Sequence, residues 1–195
     1  MFIVIDGIDG SGKSTICNLL KEYLIKKNYE VEVVRDLFYT DEFSEKVYKI
    51  IEEYLHEKIK IKSKYALELI FAALRYENIE KFSKNKDNKI LIFDRFFTSS
   101  LAYSEVPVEW ILEIYKYFPK PDFIFILDVE PEIALKRIED RSTKTIHEKY
   151  EKLEKIKEIR KKFLKIKEYF DNVFIIDANK DVDNVLNQII SCLKI

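Results

Sequence analysis

Gly7-Ile8-Asp9-Gly10-Ser11-Gly12-Lys13-Ser14, followed by Thr15, spells G-x-x-x-x-G-K-[ST]. This spacing suits phosphate chemistry. A glycine-rich turn lets backbone N–H groups close around phosphate oxygens at a helix N-terminus, where the dipole favours negative charge. Lys13 is spaced to reach the β/γ-phosphates, and the Ser14 hydroxyl to ligate Mg²⁺. The chain has only three glycines, and all three lie in this loop. Glycine is thus spent where the backbone needs unusual torsions or must touch a ligand. These residues, Gly7 to Thr15, are the expected ATP-binding set.

The motif has meaning only between a strand and a helix. Phe2-Ile3-Val4-Ile5 is an apolar run that reads as a buried strand. From Thr15 to Lys27 the apolar residues Ile16, Leu19, Leu20, Tyr23 and Leu24 recur at helical spacing. Further on, strands are expected over Glu30–Val34, Ile90–Phe93, Asp122–Leu127 and Val173–Ile176. Helices are expected over Asp41–Lys58, Lys64–Phe82, Val108–Phe118, Pro131–Glu139, Lys149–Phe170 and Val182–Leu193. Lys84–Lys89 reads as a charged turn and Asp140–Glu148 as a polar, patternless stretch. Apolar strands alternating with helices specify an α/β fold: about five parallel strands in a doubly wound sheet, covered on both faces. No linker or repeat divides the 195 residues, so one domain over 1–195 is expected.

A second chemical pair, Asp94-Arg95, follows the third apolar run. A carboxylate at that strand end is where such a fold places a second, water-mediated Mg²⁺ contact. Arg95 would point into the same crevice. Of 34 basic residues only six are arginine: Arg35, Arg75, Arg95, Arg137, Arg141 and Arg160. A chain that defaults to lysine places arginine where a planar, bidentate donor is needed. Arg160, inside a lysine-rich helix, reads as an ordinary surface cation. The net charge of -1 gives no reason to expect nucleic acid or a membrane surface as partner. No signal peptide or spanning segment is visible, and Cys17 and Cys192 have no metal spacing. They read as thiols of a cytoplasmic protein.

Asp94-Arg95-Phe96-Phe97-Thr98-Ser99-Ser100-Leu101-Ala102-Tyr103 resembles the D-R-[YFH]-x-x-S-x-x-A-Y signature of thymidylate kinases. Leu69-Ile70-Phe71-Ala72-Ala73-Leu74-Arg75 resembles their L-x-F-x-A-x-R helix. Leu127 to Arg137 resembles their L-D-x-x-P-E-x-A-L-x-R segment, and Asp9 matches their acidic loop residue. The order and spacing hold from Met1 to about Asn179. The resemblance implies a P-loop three-layer sandwich with a lid at about 137–149, transferring phosphate from MgATP to dTMP. It implies that Phe71 stacks on the acceptor base and Arg75 reads a pyrimidine edge. Arg95 would hold the acceptor phosphate, Asp9 would accept from the sugar 3′-hydroxyl, and Tyr103 would exclude ribose. Without the resemblance, Phe71 reads as a plain core aromatic. Members divide by whether the catalytic arginine sits in the loop or the lid. Gly10 implies the lid, hence Arg141, with Arg137 against the adenine or phosphates. Asp177-Ala178-Asn179 resembles the adenine-contacting loop. Members are commonly homodimers, and the aromatic-rich helices around Tyr65–Tyr76 and Tyr103–Phe118 are the candidate faces.

Two departures fall in the acceptor pocket. Arg35-Asp36-Leu37-Phe38-Tyr39 lacks the Pro and Gly of the family's loop after the second strand, and Ser104 stands where Gln is usual. Other readings therefore remain: a kinase for another (deoxy)nucleoside monophosphate or for a deoxynucleoside, or a nucleotide-binding regulatory protein with a degenerate site. A deoxynucleoside kinase needs a general base for a hydroxyl acceptor, which Asp94-Arg95-Phe96 fits less well. The intact Lys13, Ser14 and Asp94 weigh against degeneracy.

Overall fold

The computed structural model describes residues 1–83, 89–139 and 153–193. Five parallel strands form one sheet in the order β2-β3-β1-β4-β5, with β1 Phe2–Asp6, β2 Glu30–Arg35, β3 Lys89–Asp94, β4 Phe123–Asp128 and β5 Val173–Asp177. Every residue of β1 is buried, and β3 and β4 are nearly so. Strands covered on both faces must be apolar throughout, which is why these three read as continuous runs rather than alternations. The edge strand β2 alternates and exposes Glu30, Glu32 and Arg35, charges that discourage pairing with another edge.

The helices are α1 Lys13–Lys26, α2 Glu42–Leu55, α3 Lys64–Ser83, α4 Phe97–Tyr103, α5 Val108–Ile114, α6 Pro131–Glu139, α7 Leu153–Lys165 and α8 Val182–Leu193. Asp41 caps α2: its carboxylate accepts from Ser44 N at 2.7 Å while the Ser44 hydroxyl accepts from Asp41 N. At the end of α1, Asn28 takes a left-handed φ of 65°, and the Asn28 and Tyr29 amides bond back to Ile25 and Leu24.

Three expectations change. The helix expected over Val108–Phe118 stops at Ile114, because Phe118 precedes Pro119 and the last turn folds Tyr115 and Phe118 into the core. The long helix expected to Phe170 ends at Lys165 and tightens into a 3-10 turn at Ile166–Glu168, which buries Ile166 completely. Helix α4 was not expected at all. It buries Thr98, Ser99 and Ser100 along with Phe97, Leu101 and Ala102, so polar and apolar residues do not separate into faces that can be read. The turn over 84–88, the polar stretch from Asp140 and the start of the helix expected from Lys149 lie outside the described residues. Among the described residues, no helix is long and apolar enough to cross a membrane.

Candidate active site

The chemistry gathers at the C-terminal ends of β1, β2 and β3, where open parallel sheets present their crevice. At the end of β1 the chain leaves Asp6 and turns through the glycine loop into α1. Gly12 sits at the N-cap with a φ of 95° and offers no side-chain cap. The first-turn amides of α1 therefore face outward as donors. Gly10, with a φ of 79°, presses against α6: a Cβ there would lie 2.3 Å from the Ala134 carbonyl oxygen. No side chain fits at position 10 unless α6 moves, so the loop itself has no room for an arginine.

Lys13 is buried, and its Nζ donates to the carbonyls of Gly7 at 3.1 Å and Ile8 at 2.7 Å. Burial pushes this ammonium down to about 8, and the nearby Arg95 guanidinium adds to the fall, while Asp9, Asp6 and Asp94 oppose it. Ser14 Oγ donates to Asp94 Oδ2 at 2.5 Å, so the loop hydroxyl and the β3 carboxylate are direct neighbours. Two hard oxygen donors beside a phosphate loop suit Mg²⁺, which keeps several waters and takes its other ligands from phosphates. Among the described residues there is no cluster of three or more His, Cys, Asp or Glu that would instead form a protein cage.

Asp6 is a residue the sequence reading passed over. It is fully buried and accepts from Gly7 N at 2.8 Å, Thr98 Oγ1 at 2.7 Å and Ser99 Oγ at 2.9 Å. Burial raises its carboxyl above the usual value, with Arg95 and Thr98 opposing. It joins the start of the loop to the start of α4, and its sequence signal was an acid ending an apolar strand, as in Asp94.

Arg95 takes a left-handed φ of 72°, unusual for a side chain of this size. Its amide donates to Ile5 O at 3.0 Å, which fixes the backbone across the sheet. The guanidinium pairs with Asp9, donates to Ser99 Oγ at 3.3 Å and lies over the Tyr103 ring at 5.4 Å. The Tyr103 hydroxyl donates to Asp9 Oδ2 at 3.3 Å. Burial alone would lower the Arg95 pKa, but Asp9, Tyr103 and Asp6 more than reverse that and it stays cationic.

Asp9, Arg95, Tyr103, Phe71 and Arg75 line one cavity of about 330 Å³. At its far end Arg75 is buried in a cage. Its Nε and Nη2 form a fork to Asp36 at 2.6 and 2.5 Å, and Nη1 donates to Ser100 Oγ at 2.6 Å and the Tyr115 hydroxyl at 2.8 Å. The Tyr115 hydroxyl in turn donates to Glu68 at 3.2 Å. The Phe71 ring lies 5.5 Å from the guanidinium. Asp36, Glu68, Ser100 and Tyr115 were not anticipated. Asp36 carried the same signal as Asp6 and Asp94, an acid just past a strand; Tyr115 carried none. Arg35 is exposed and does not line the cavity.

On the other side of the loop, Arg137 of α6 donates through Nη1 and Nη2 to Ala178 O, both at 3.2 Å, which ties it to the segment after β5. Arg141 lies outside the described residues, as does most of the expected lid. Arg160 corrects its reading as a surface cation. It forks onto Asp128 at 2.6 and 3.0 Å and onto Glu130 at 2.6 and 2.8 Å, anchoring α7 to the end of β4.

A sequence profile described as thymidylate kinase matches residues 5–189. The chain belongs to the thymidylate kinase family. It is 41% identical to a protein named probable thymidylate kinase 1 from Saccharolobus solfataricus, covering 98% of this chain and 96% of that one. It is 36% identical to a probable thymidylate kinase from Thermococcus kodakarensis, covering 100% and 97%. The thymidylate kinase structure from Candida albicans matches with a TM-score of 0.79 at 25% identity, over 99% of this chain and 90% of that one. The five-stranded α/β fold of this chain matches that thymidylate kinase structure.

Proposed function

We propose that this protein transfers the γ-phosphoryl group of MgATP to dTMP, giving ADP and dTDP. The observation that carries this is one cavity that Asp9 of the glycine loop lines together with Arg95, Tyr103, Phe71 and Arg75. The acceptor is already a phosphate oxyanion, so no strong base is needed; an acceptor oxygen forms the new P–O bond as the bond to ADP breaks. Lys13 and the loop amides neutralise the transferring phosphoryl group. Arg95 holds the acceptor phosphate beside it, which converts the encounter into an oriented one. Phe71 stacks on the base, Arg75 donates to it, Asp9 takes the sugar 3′-hydroxyl, and Tyr103 packs where a 2′-hydroxyl would need space. Ser14, and Asp94 through water, would hold Mg²⁺, which would supply charge neutralisation on the phosphate oxygens when bound. With position 10 closed by α6, the transition-state arginine comes from the lid as Arg141, and Arg137 meets the adenine or phosphates. Arg141→Ala then lowers kcat by about 10³–10⁵-fold with dTMP affinity retained; a change confined to the acceptor KM removes it from this role.

We also propose a cytoplasmic homodimer. The two thiols are free. Phe43 and Ile50 of α2 and Tyr65 and Leu69 of α3 are 40–54% exposed, which puts apolar side chains on the surface of both helices. In the other candidate, Tyr103–Phe118, α4 is buried and Tyr115 and Phe118 are in the core, so Tyr117 is the large aromatic there that is mostly exposed.

A coupled ADP-release assay with MgATP against dTMP, dUMP, UMP, dCMP, dAMP, dGMP and thymidine tests the reaction. Best use of dTMP supports it. Preference for thymidine replaces it with a nucleoside kinase, and ATP binding without turnover on any acceptor replaces it with a regulatory protein.

A further inference from the structure

The loop after β2 is one of the two departures from the family's pattern, and the structure shows what it holds. Asp36 is not on a free loop. Its amide donates to Asp94 O at 3.1 Å, extending the β2–β3 ladder by one bond. Two residues on, Phe38 O accepts from Asn78 Nδ2 of α3 at 2.8 Å. The segment is therefore fastened to the sheet at Asp36 and to α3 at Phe38. The Asp36 carboxylate is buried, and its two oxygens take Nε and Nη2 of Arg75 in a planar fork.

A guanidinium has five N–H donors. Here Nε–H and one Nη2–H go to Asp36, and both Nη1–H go to Ser100 and Tyr115. Four are spent, and the fifth, on Nη2, has no bond among the described residues. The guanidinium lies over the Phe71 and Tyr115 rings, 5.5 and 5.8 Å from their centroids. It can neither rotate nor offer a second donor without breaking a charge-assisted bond.

We infer that Asp36 is a positioning residue for acceptor selection: rooted in the sheet beside Asp94, it locks Arg75 so that one N–H is presented to the base, which selects a base with a carbonyl there over one with an amino group. This rests on the reading of Arg75 as the base-contacting residue. A uracil-type edge offers the carbonyl. A cytosine-type edge offers an amino group, which the locked guanidinium cannot accept from and which cannot push it aside.

The test compares kcat and KM for dTMP and dCMP in wild type, Asp36→Asn, Arg75→Gln and the double variant, with ATP affinity and Tm alongside. Asp36→Asn keeps the volume but replaces one fork oxygen by a donor facing a donor. The expected result is a rise of tenfold or more in KM for dTMP, kcat within threefold of wild type, ATP affinity unchanged, and the dTMP/dCMP ratio of kcat/KM reduced at least tenfold. In the Arg75→Gln background, adding Asp36→Asn changes that ratio no further. Equal losses on dTMP, dCMP and ATP, or additive effects in the double variant, overturn the proposal in favour of a purely structural ion pair. Should Asp36→Asn fail to fold, Asp36→Glu keeps the charge and shifts the guanidinium, and an unchanged dTMP/dCMP ratio there overturns the proposal equally. If Arg75→Gln alone leaves the ratio untouched, the base-contact reading itself fails, and the Asp36 proposal falls with it.

Discussion

The cations on the two sides of the crevice are held in different ways. On the acceptor side, Arg75 is forked onto Asp36 and Arg95 is paired with Asp9, both against carboxylates. On the donor side, Lys13 rests on the carbonyls of Gly7 and Ile8, and Arg137 on that of Ala178. A charged partner fixes a guanidinium in one place and keeps it protonated; burial alone would lower the Arg75 pKa, but Asp36, Tyr115 and Glu68 hold it well above the usual value. A carbonyl does neither as strongly, and Lys13 is left with a depressed pKa. On the proposed assignment, the acceptor side is held for shape and discrimination, and the donor side carries cations that can exchange neutral partners for phosphate oxygens. Substitutions should divide accordingly: donor-side changes act on kcat and ATP, acceptor-side changes on the choice of acceptor.

Among the described residues the largest expected effect is at Lys13. Lys13→Ala removes a buried cation whose partners are all neutral, so the fold persists while kcat falls by about 10²–10³-fold or more. Steady-state kinetics with circular dichroism on the same sample measure both; retained turnover breaks the donor-side half of the contrast. Next is Phe71→Ala. Base stacking is worth about 1–3 kcal/mol, so KM for dTMP should rise about 5–150-fold while KM for ATP stays level. A matching rise for ATP would mean that Phe71 is a packing residue for the whole crevice.

Much of this division was legible in the chain and part was not. The glycine loop, Asp94 and the three inner strands announce themselves because each obeys a local rule: fixed spacing, an acid at a strand end, continuous apolarity under two layers. Helix α4 obeys none, since Thr98, Ser99 and Ser100 face buried Asp6 and Arg75 rather than an apolar core. The Arg75 cage brings together residues 36, 68, 75, 100 and 115; Glu68 and Arg75 lie two turns apart on α3, but no periodicity links them to 36, 100 and 115. Arg160 was misread for the same reason: its lysine-rich neighbours describe the outer face of α7, whereas its own partners, Asp128 and Glu130, come from the end of β4.

Gly10 ties the donor side to α6, and its replacement sharpens the contrast from the structural direction. Gly10→Ala places a methyl against the Ala134 backbone at a left-handed φ. Overpacking of this kind costs about 1–3 kcal/mol, or a Tm loss of about 2–4 °C per kcal/mol for a chain this long. Because α6 must yield, ATP affinity should fall and dTMP affinity should hold. A Tm equal to wild type would show that α6 shifts freely.

The smallest effect, in pH, separates the sides without mutation. Only the donor-side cation carries a depressed pKa, so only ATP capture should respond to mild alkali. Free Lys13 loses its proton around pH 8, and kcat/KM for ATP should fall about tenfold per pH unit above that. Bound phosphate raises the Lys13 pKa again, so kcat should stay level over the same range. Stability should move the other way. Between about 8 and the ordinary 10.5, the unfolded chain holds a proton on Lys13 that the folded chain has released. Stability therefore rises with pH across that window, as the cost of burying the ammonium is relieved. Arg75 and Arg95 stay cationic throughout, so KM for dTMP should not bend near pH 8. Parallel pH profiles of kcat/KM for the two substrates decide the matter: a shared limb near 8 would place a titrating group on the acceptor side and erase the distinction between the two halves of the crevice.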